Sequence, residues 1–337
     1  MPGVKCALHE GFLRNGEAPT LAAPACSMRR GCLGSRAVDG HVSLLQEVAA
    51  STVTVSAEIP PSHPSAGVLG TSRTGTGGVV DEDGTVLTVN YIVLGATQLT
   101  VTDTEGNTVP AKIIAQDFTT GVAAVASDLS TVPPLRKGSS TLVEAGQDLF
   151  LVSSVGGADR RSASGFVSST EAFDAYWEYY LERAIWLSAI NPGLGGAPLC
   201  DARGRLVGVV SLNLGAVGRA TLAIPAEHWF DHADELRTHG RRTTRAARAW
   251  LGMFCYALPD RTVVAGLVPG APGERSGLTV GDVIVRIGEE QVTGRLQLYE
   301  AIWRHSPGET IALKVFRSGR LAELTIQTGD AEDFFRI

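Results

Sequence analysis

The chain has 337 residues, enough for about two domains at roughly 150 residues each. Lys and Arg total 29 against 35 Asp and Glu, and the net charge of −6 argues against a general nucleic-acid binder, which carries a basic surplus. Hydrophobic residues make up 44% and charged residues 19%, too apolar a balance for intrinsic disorder, and no run of about 18 apolar residues marks a membrane-spanning helix.

Residues 1–41 lack hydrophobic periodicity and read as an irregular extension. This stretch holds Cys6, Cys26 and Cys32; the other two cysteines are Cys200 and Cys255. An odd number excludes a fully paired internal disulfide framework. Cys6 with His9, and Cys26 with Cys32, are candidate metal ligands, but the second spacing is loose for zinc. The reading without metal is preferred, and no cofactor is expected. The first twenty residues mix charge, Gly and Pro with no apolar leader core, so a cytoplasmic setting is expected.

From Val42 the amphipathic stretch VSLLQEVAAS runs into the β-rich TVTVSAEI. Two pairs of β runs then flank Asp83-Gly84 and Glu105-Gly106-Asn107, which are hairpin signals. DLFLVSSV, SASGFVSS, AIWLSAI, APLCDARGRLVGVVSLN and RATLAIP continue the pattern. About a dozen short strands predict a β-barrel or sandwich over residues 42–224. Cys200 reads as a buried small hydrophobe within one of them.

Residues 225–249 change character. Trp229, Ala233 and Leu236 have helical spacing, and Gly240 is a stop signal. Arg241, Arg242, Arg245 and Arg248 follow, and the whole stretch reads as a solvated, basic, helical linker. A compact α+β module is expected over 250–330, followed by a tail, 331–337. No phosphate loop or dinucleotide fingerprint occurs.

Five segments carry a family resemblance. NPGLGGAPL (191–199) resembles the nucleophile loop of the HtrA-type trypsin-like serine proteases. TGTGGVVDEDGTVLTVNYIV (74–93) resembles the strand pair leading to that family's catalytic histidine, and DFTTGVAAV (117–125) the segment with its aspartate. WLGM (250–253) and VPGAPGERSGLTVGDVIVRIGEEQV resemble the carboxylate-binding loop and core of a PDZ domain. The resemblance covers about residues 42–330. It implies a mainly β fold: a trypsin-like double β-barrel followed by an α+β PDZ-like domain.

The resemblance puts the family's histidine on Tyr91, its aspartate on Gly121 and its serine on Gly195. Acyl transfer needs a nucleophile beside a base that takes its proton. Glycine offers no nucleophile, and a phenol is a poor base at neutral pH. The expectation is therefore a pseudoprotease, not an enzyme, serving as a protein- or peptide-binding scaffold or regulatory subunit. Two alternatives stay open. One is a structural subunit of a larger, redox-type complex docked through the cysteine-bearing extension; the other is a hydrolase with a relocated active site. Gly193 and Gly195 could keep an anion-receptive turn from their N–H groups. In the PDZ-like module the resemblance implies that Trp250, Leu251, Gly252 and Met253 offer N–H groups to a chain-terminal carboxylate. Leu298 and Ile302, four apart on a helix, are expected to line the side-chain pocket. The expected partner is a protein or peptide C-terminus, within a homo- or hetero-oligomer, with neither nucleic acid nor a membrane span.

Overall fold

The computed structural model describes residues 35–215 and 220–336. Cys6, His9, Cys26 and Cys32 lie outside the described residues. Helix α1 (Ser35–Ala50) begins seven residues before the amphipathic stretch read from the sequence.

Six strands then close into a barrel: β1 (Thr52–Glu58), β2 (Ser72–Val79), β3 (Thr85–Val89), β4 (Gln98–Thr102), β5 (Thr108–Gln116) and β6 (Val122–Ser127), in the order β1-β2-β3-β6-β5-β4. Short helices α2 (Ala66–Leu69) and α3 (Asn90–Val93) interrupt them. Val53, Val55, Val86 and Val125 share one face and fill the interior.

The next strands are β7 (Arg136–Lys137), β8 (Asp148–Gly156), β9 (Asp159–Ser169), β10 (Phe173–Ala175), β11 (Tyr179–Leu181), β12 (Ile185–Leu187), β13 (Pro198–Asp201), β14 (Arg205–Leu214) and β15 (Ala220–Pro225). Seven of them form a sheet ordered β13-β8-β9-β12-β15-β14-β7, and a β13–β14 pairing closes six into a second barrel. Its interior is Leu149, Leu151, Ile185, Leu187 and Leu199. Strands β10 and β11 form a separate ribbon outside both barrels.

One sequence device builds three of the hairpins: Asp-x-x-Gly, at Asp81–Gly84, Asp103–Gly106 and Asp201–Gly204. In each, the Asp carboxylate accepts N–H groups two and four residues on, at 2.8–3.1 Å. The Gly takes the left-handed angle that closes the turn, with φ of 75°, 88° and 72°.

Helices α4 (Glu227–Phe230) and α5 (Ala233–His239) follow. This stretch is not a solvated linker: Trp229 and Leu236 are buried in the first barrel's core. Arg242 pairs with Glu235 at 2.8 Å, Arg245 with Asp117 at 2.9 Å, and Arg248 stacks over the Trp303 ring.

The last module holds β16 (Met253–Leu258), β17 (Arg261–Leu267), α6 (Pro272–Arg275), β18 (Val283–Ile287), β19 (Glu290–Gln291), α7 (Arg295–Trp303), β20 (Thr310–Arg317) and β21 (Arg320–Gln327). The sheet runs β16-β17-β18-β20-β21, with β19 on β18. Ile311, Leu313 and Val315 alternate inward along β20, so one sheet face makes the core under α7. Helix α8 (Ala331–Phe335) turns the tail back, and the Phe334 and Phe335 rings pack on Trp250.

Candidate functional site

Two places carry the residues singled out by sequence. The first is the cleft where α3, the start of β6 and the loop before β13 meet. Strand β3 feeds Tyr91 into α3, and the Asn90 N–H donates to Gly121 O at 2.8 Å, tying that helix to the β6 entry. The Tyr91 hydroxyl donates to Ser211 O at 2.8 Å. A Cβ built on Gly195 would stand 2.0 Å from the Tyr91 oxygen. The phenol therefore fills the space a side chain at 195 would need. Burial pushes its pKa above the ordinary phenol value, so it remains a neutral donor at pH 7.

The loop is pinned to both barrels by backbone hydrogen bonds. Thr76 N donates to Gly195 O at 2.7 Å, Gly196 N to Val210 O at 2.7 Å and Leu194 N to Ser154 O at 2.9 Å. The Gly193 N–H is consumed by the Asn191 side chain at 3.1 Å, so the expected pair of donors from Gly193 and Gly195 is not open to an anion. The left-handed angle falls on Gly196, φ 92°, which frees Ala197 from strain.

A serine–histidine contact exists elsewhere: His63 Nδ1 lies 2.7 Å from Ser65 Oγ. It is a packing knot. An Arg73 N–H donates to the same Oγ at 2.6 Å, and His63 Nε2 meets Phe335 O at 2.9 Å. Both residues are buried. Cys200 and Cys255 are buried too, and burial raises both thiol pKa values, which keeps them neutral. Among the described residues no cluster of three or more His, Cys, Asp or Glu could hold a metal.

The second place is the groove between β16 and α7. Gly252 takes φ 77°, and a Cβ there would sit 2.2 Å from the Ala271 Cβ, so only glycine lets the Trp250–Met253 loop pass. Trp250 is not a carboxylate ligand: its N–H donates to Gly329 O at 2.9 Å. The N–H groups of Leu251 and Met253 do meet a carboxylate, that of Glu178, at 3.0 and 2.9 Å. Leu298 and Ile302 are fully buried in the module core, on the same face of α7 as Arg295 and Tyr299. The groove-facing residues of α7 are Arg295 and Tyr299. Arg295 Nε donates to Asp174 Oδ2 at 2.7 Å, and Tyr299 OH to Ala175 O at 3.0 Å.

Segment 174–178 carries no motif and lies outside the residues that the sequence singles out. A signal was there: five aromatics, Phe173, Tyr176, Trp177, Tyr179 and Tyr180, crowd one short stretch of a chain with 6% aromatic residues. Exposed aromatics at that density need a surface to cover them.

Comparison with known proteins accords with this architecture. A trypsin-like peptidase domain matches residues 75–209 and a PDZ domain residues 243–328. A probable periplasmic serine endoprotease, DegP-like, of Halomonas elongata is 30% identical over 277 residues, covering 77% of this chain and 57% of its own length. The DegP-like counterpart of Hahella chejuensis is 28% identical, covering 76% and 57%. The HtrA-type protease AlgW, solved as a variant with a decapeptide, superposes with TM-score 0.52 at 25% identity, covering 86% of this chain and 97% of that one.

The chain belongs to the HtrA-type family. It spans 57% of the length of the two curated relatives named above. Those relatives correct two expectations about this HtrA-type chain. They are named serine endoproteases, which overturns the assignment as a non-enzyme, and they are named periplasmic, which overturns the cytoplasmic setting. No helix among the described residues is long and apolar enough to cross a membrane.

Proposed function

We propose that this HtrA-type protein acts by capturing extended protein or peptide termini in its PDZ groove, in the periplasmic setting its relatives' names indicate. One observation carries the reading: Leu251 and Met253 already aim their N–H groups at a carboxylate, at 3.0 and 2.9 Å. Backbone donors converging on a carboxylate, beside a strand edge, are the means by which such a groove reads a chain end. The AlgW structure solved with a decapeptide supports it.

In this reading residues 42–224 form a double barrel that presents a partner surface, and residues 250–330 form the peptide-reading module. Residues 225–249 join the two, and Phe334 and Phe335 of the tail cap the carboxylate loop at Trp250. A scaffold or regulatory role within a homo- or hetero-oligomer follows from two binding surfaces on one chain. Residue 195 has no side chain, so any peptide-bond hydrolysis by this chain draws its nucleophile from another position.

The test is a titration of the full chain against a library of decapeptides with free C-termini and their amidated copies. The expected result is saturable binding that amidation abolishes. Silence across the library, in the protein and in a variant with the groove opened, overturns the reading.

A further inference from the structure

The groove between β16 and α7 is already filled. Residues 174–178, which begin within the first strand of the outer ribbon and lead to its second, run through it in extended form. Trp177 bridges Phe254 in antiparallel register, and the Cys255 N–H donates to Tyr176 O at 2.6 Å. That bond places Trp177 and Phe254 as a non-hydrogen-bonded pair, with side chains close. The segment thus adds a strand to the β16 edge.

The opposite wall holds the same segment. Arg295 binds Asp174 twice, through Oδ2 and through the main-chain O, each at 2.7 Å. Tyr299, buried on α7, donates to Ala175 O at 3.0 Å. Glu178 then seats its carboxylate on the N–H groups of the 250–253 loop. The Tyr176 ring lies 6.0 Å from both Phe254 and Tyr256. The strand edge, the α7 wall and the 250–253 loop are thus all engaged by the protein's own chain.

We infer that residues 174–178 are an internal ligand of the PDZ groove, with the Glu178 side-chain carboxylate standing in for a chain terminus, and that an incoming peptide binds only by displacing it. This rests on the peptide-capture reading and adds its regulation. The latch is an intramolecular competitor. Apparent peptide affinity is the intrinsic affinity reduced by the fraction of molecules with the groove open. The segment is continuous with β11 and with β12 of the second barrel, so displacement also releases a ribbon tied to that barrel: Tyr179 donates to Thr120 O at 2.6 Å, beside Gly121.

Two readouts on the full chain separate the latch from peptide capture. The first is amide hydrogen exchange at Leu251, Met253 and Cys255, in the wild type, in Glu178→Ala and in Tyr299→Phe. Tyr299→Phe removes one hydroxyl and leaves the ring in the core. The latch predicts exchange faster by about tenfold or more at these three amides in both variants, with the Leu313 and Val315 amides unchanged. The second is binding of a fluorescent nonapeptide copying residues 169–177 with a free carboxylate. It is expected to bind Glu178→Ala at least about tenfold more tightly than wild type. Unchanged exchange in both variants overturns the latch, and so does equal peptide affinity in wild type and Glu178→Ala. Faster exchange with no binding of this peptide or the decapeptide library to any form supports the latch and overturns peptide capture.

Discussion

The Tyr91 hydroxyl occupies the place a side chain on Gly195 would take: a Cβ there would lie 2.0 Å from the phenol oxygen and 3.2 Å from its ring carbon. The two residues are 104 positions apart in sequence and form one packed unit in the cleft. A large residue at one position and none at the other is a volume exchange, and either one changed alone leaves a clash or a void.

Gly195→Ser is accordingly expected to destabilise the fold by about 1–3 kcal/mol, as overpacking does. It must push the phenol off Ser211 O. Tyr91→Phe removes the clashing oxygen, so the double variant is expected to be more stable than the sum of the two single losses. Urea denaturation of the three variants measures this, and strict additivity would separate the two residues.

The Asp-x-x-Gly turns give a pH prediction. At Asp103 burial pushes the carboxyl pKa upward, but hydrogen bonds from the Asn107 side chain and from the Asn107, Glu105 and Gly106 N–H groups outweigh it and hold the pKa below the usual range. Asp201 is lowered in the same way by Arg205 and Arg203. A lowered carboxyl stabilises the fold above its unfolded pKa, near 4, and that stability is lost as pH falls through the folded value. Thermal melts are expected to drop in acid. Asp103→Ala should cost about 1–3 kcal/mol at neutral pH, the loss of charge-assisted bonds, and should flatten part of the acid limb.

Much of the fold was legible in such local chemistry. Asp-x-x-Gly between alternating runs specifies a hairpin by itself, and NPGLGGAPL and WLGM mark two loops that the structure places at the cleft and the groove. Other features were not legible, for physical reasons. Leu298 and Ile302 have the spacing of a pocket wall, yet the same spacing serves a core face, and the structure buries both in the module core. Trp229 and Leu236 look like an exposed amphipathic helix until the first barrel supplies a core to receive them. Segment 174–178 has no periodicity, because its partners are another element's backbone N–H groups, which leave no trace in side-chain pattern.

Glu178 makes the latch pH-dependent. Burial pushes its pKa from an ordinary 4.5 up to about 7, with the N–H bonds of Met253, Leu251 and Gly252 pulling the other way. A carboxyl whose pKa is raised on docking takes up a proton more readily docked than free. Docking is then strongest on the acid side, weakens as pH rises from about 4.5 to about 7, and is level above. Its charged neighbours are Arg295 and Asp174 in the groove, and Asp117, Arg241, Arg242, Arg245, Arg248, Asp330 and Glu332 around the adjoining cavity of about 310 Å³. Cys255 and Tyr299, pushed up by burial, stay neutral across this window. Peptide binding to the wild type is expected to tighten between pH 5 and pH 7, because the peptide's own terminal carboxylate stays ionised there. Glu178→Gln should remove the slope, and tighter binding at pH 5 than at pH 7 would reverse the assignment.

The central claim is that the chain's own segment and an outside peptide compete for one groove. Trp177 and Phe254 face each other as a non-hydrogen-bonded antiparallel pair, a spacing a disulfide can bridge. The double variant Trp177→Cys with Phe254→Cys can therefore be locked by oxidation and freed by reduction in one sample. Fluorescence titration with peptides bearing free C-termini is expected to show binding in the reduced form and none in the oxidised form. Equal binding in both forms would contradict the account.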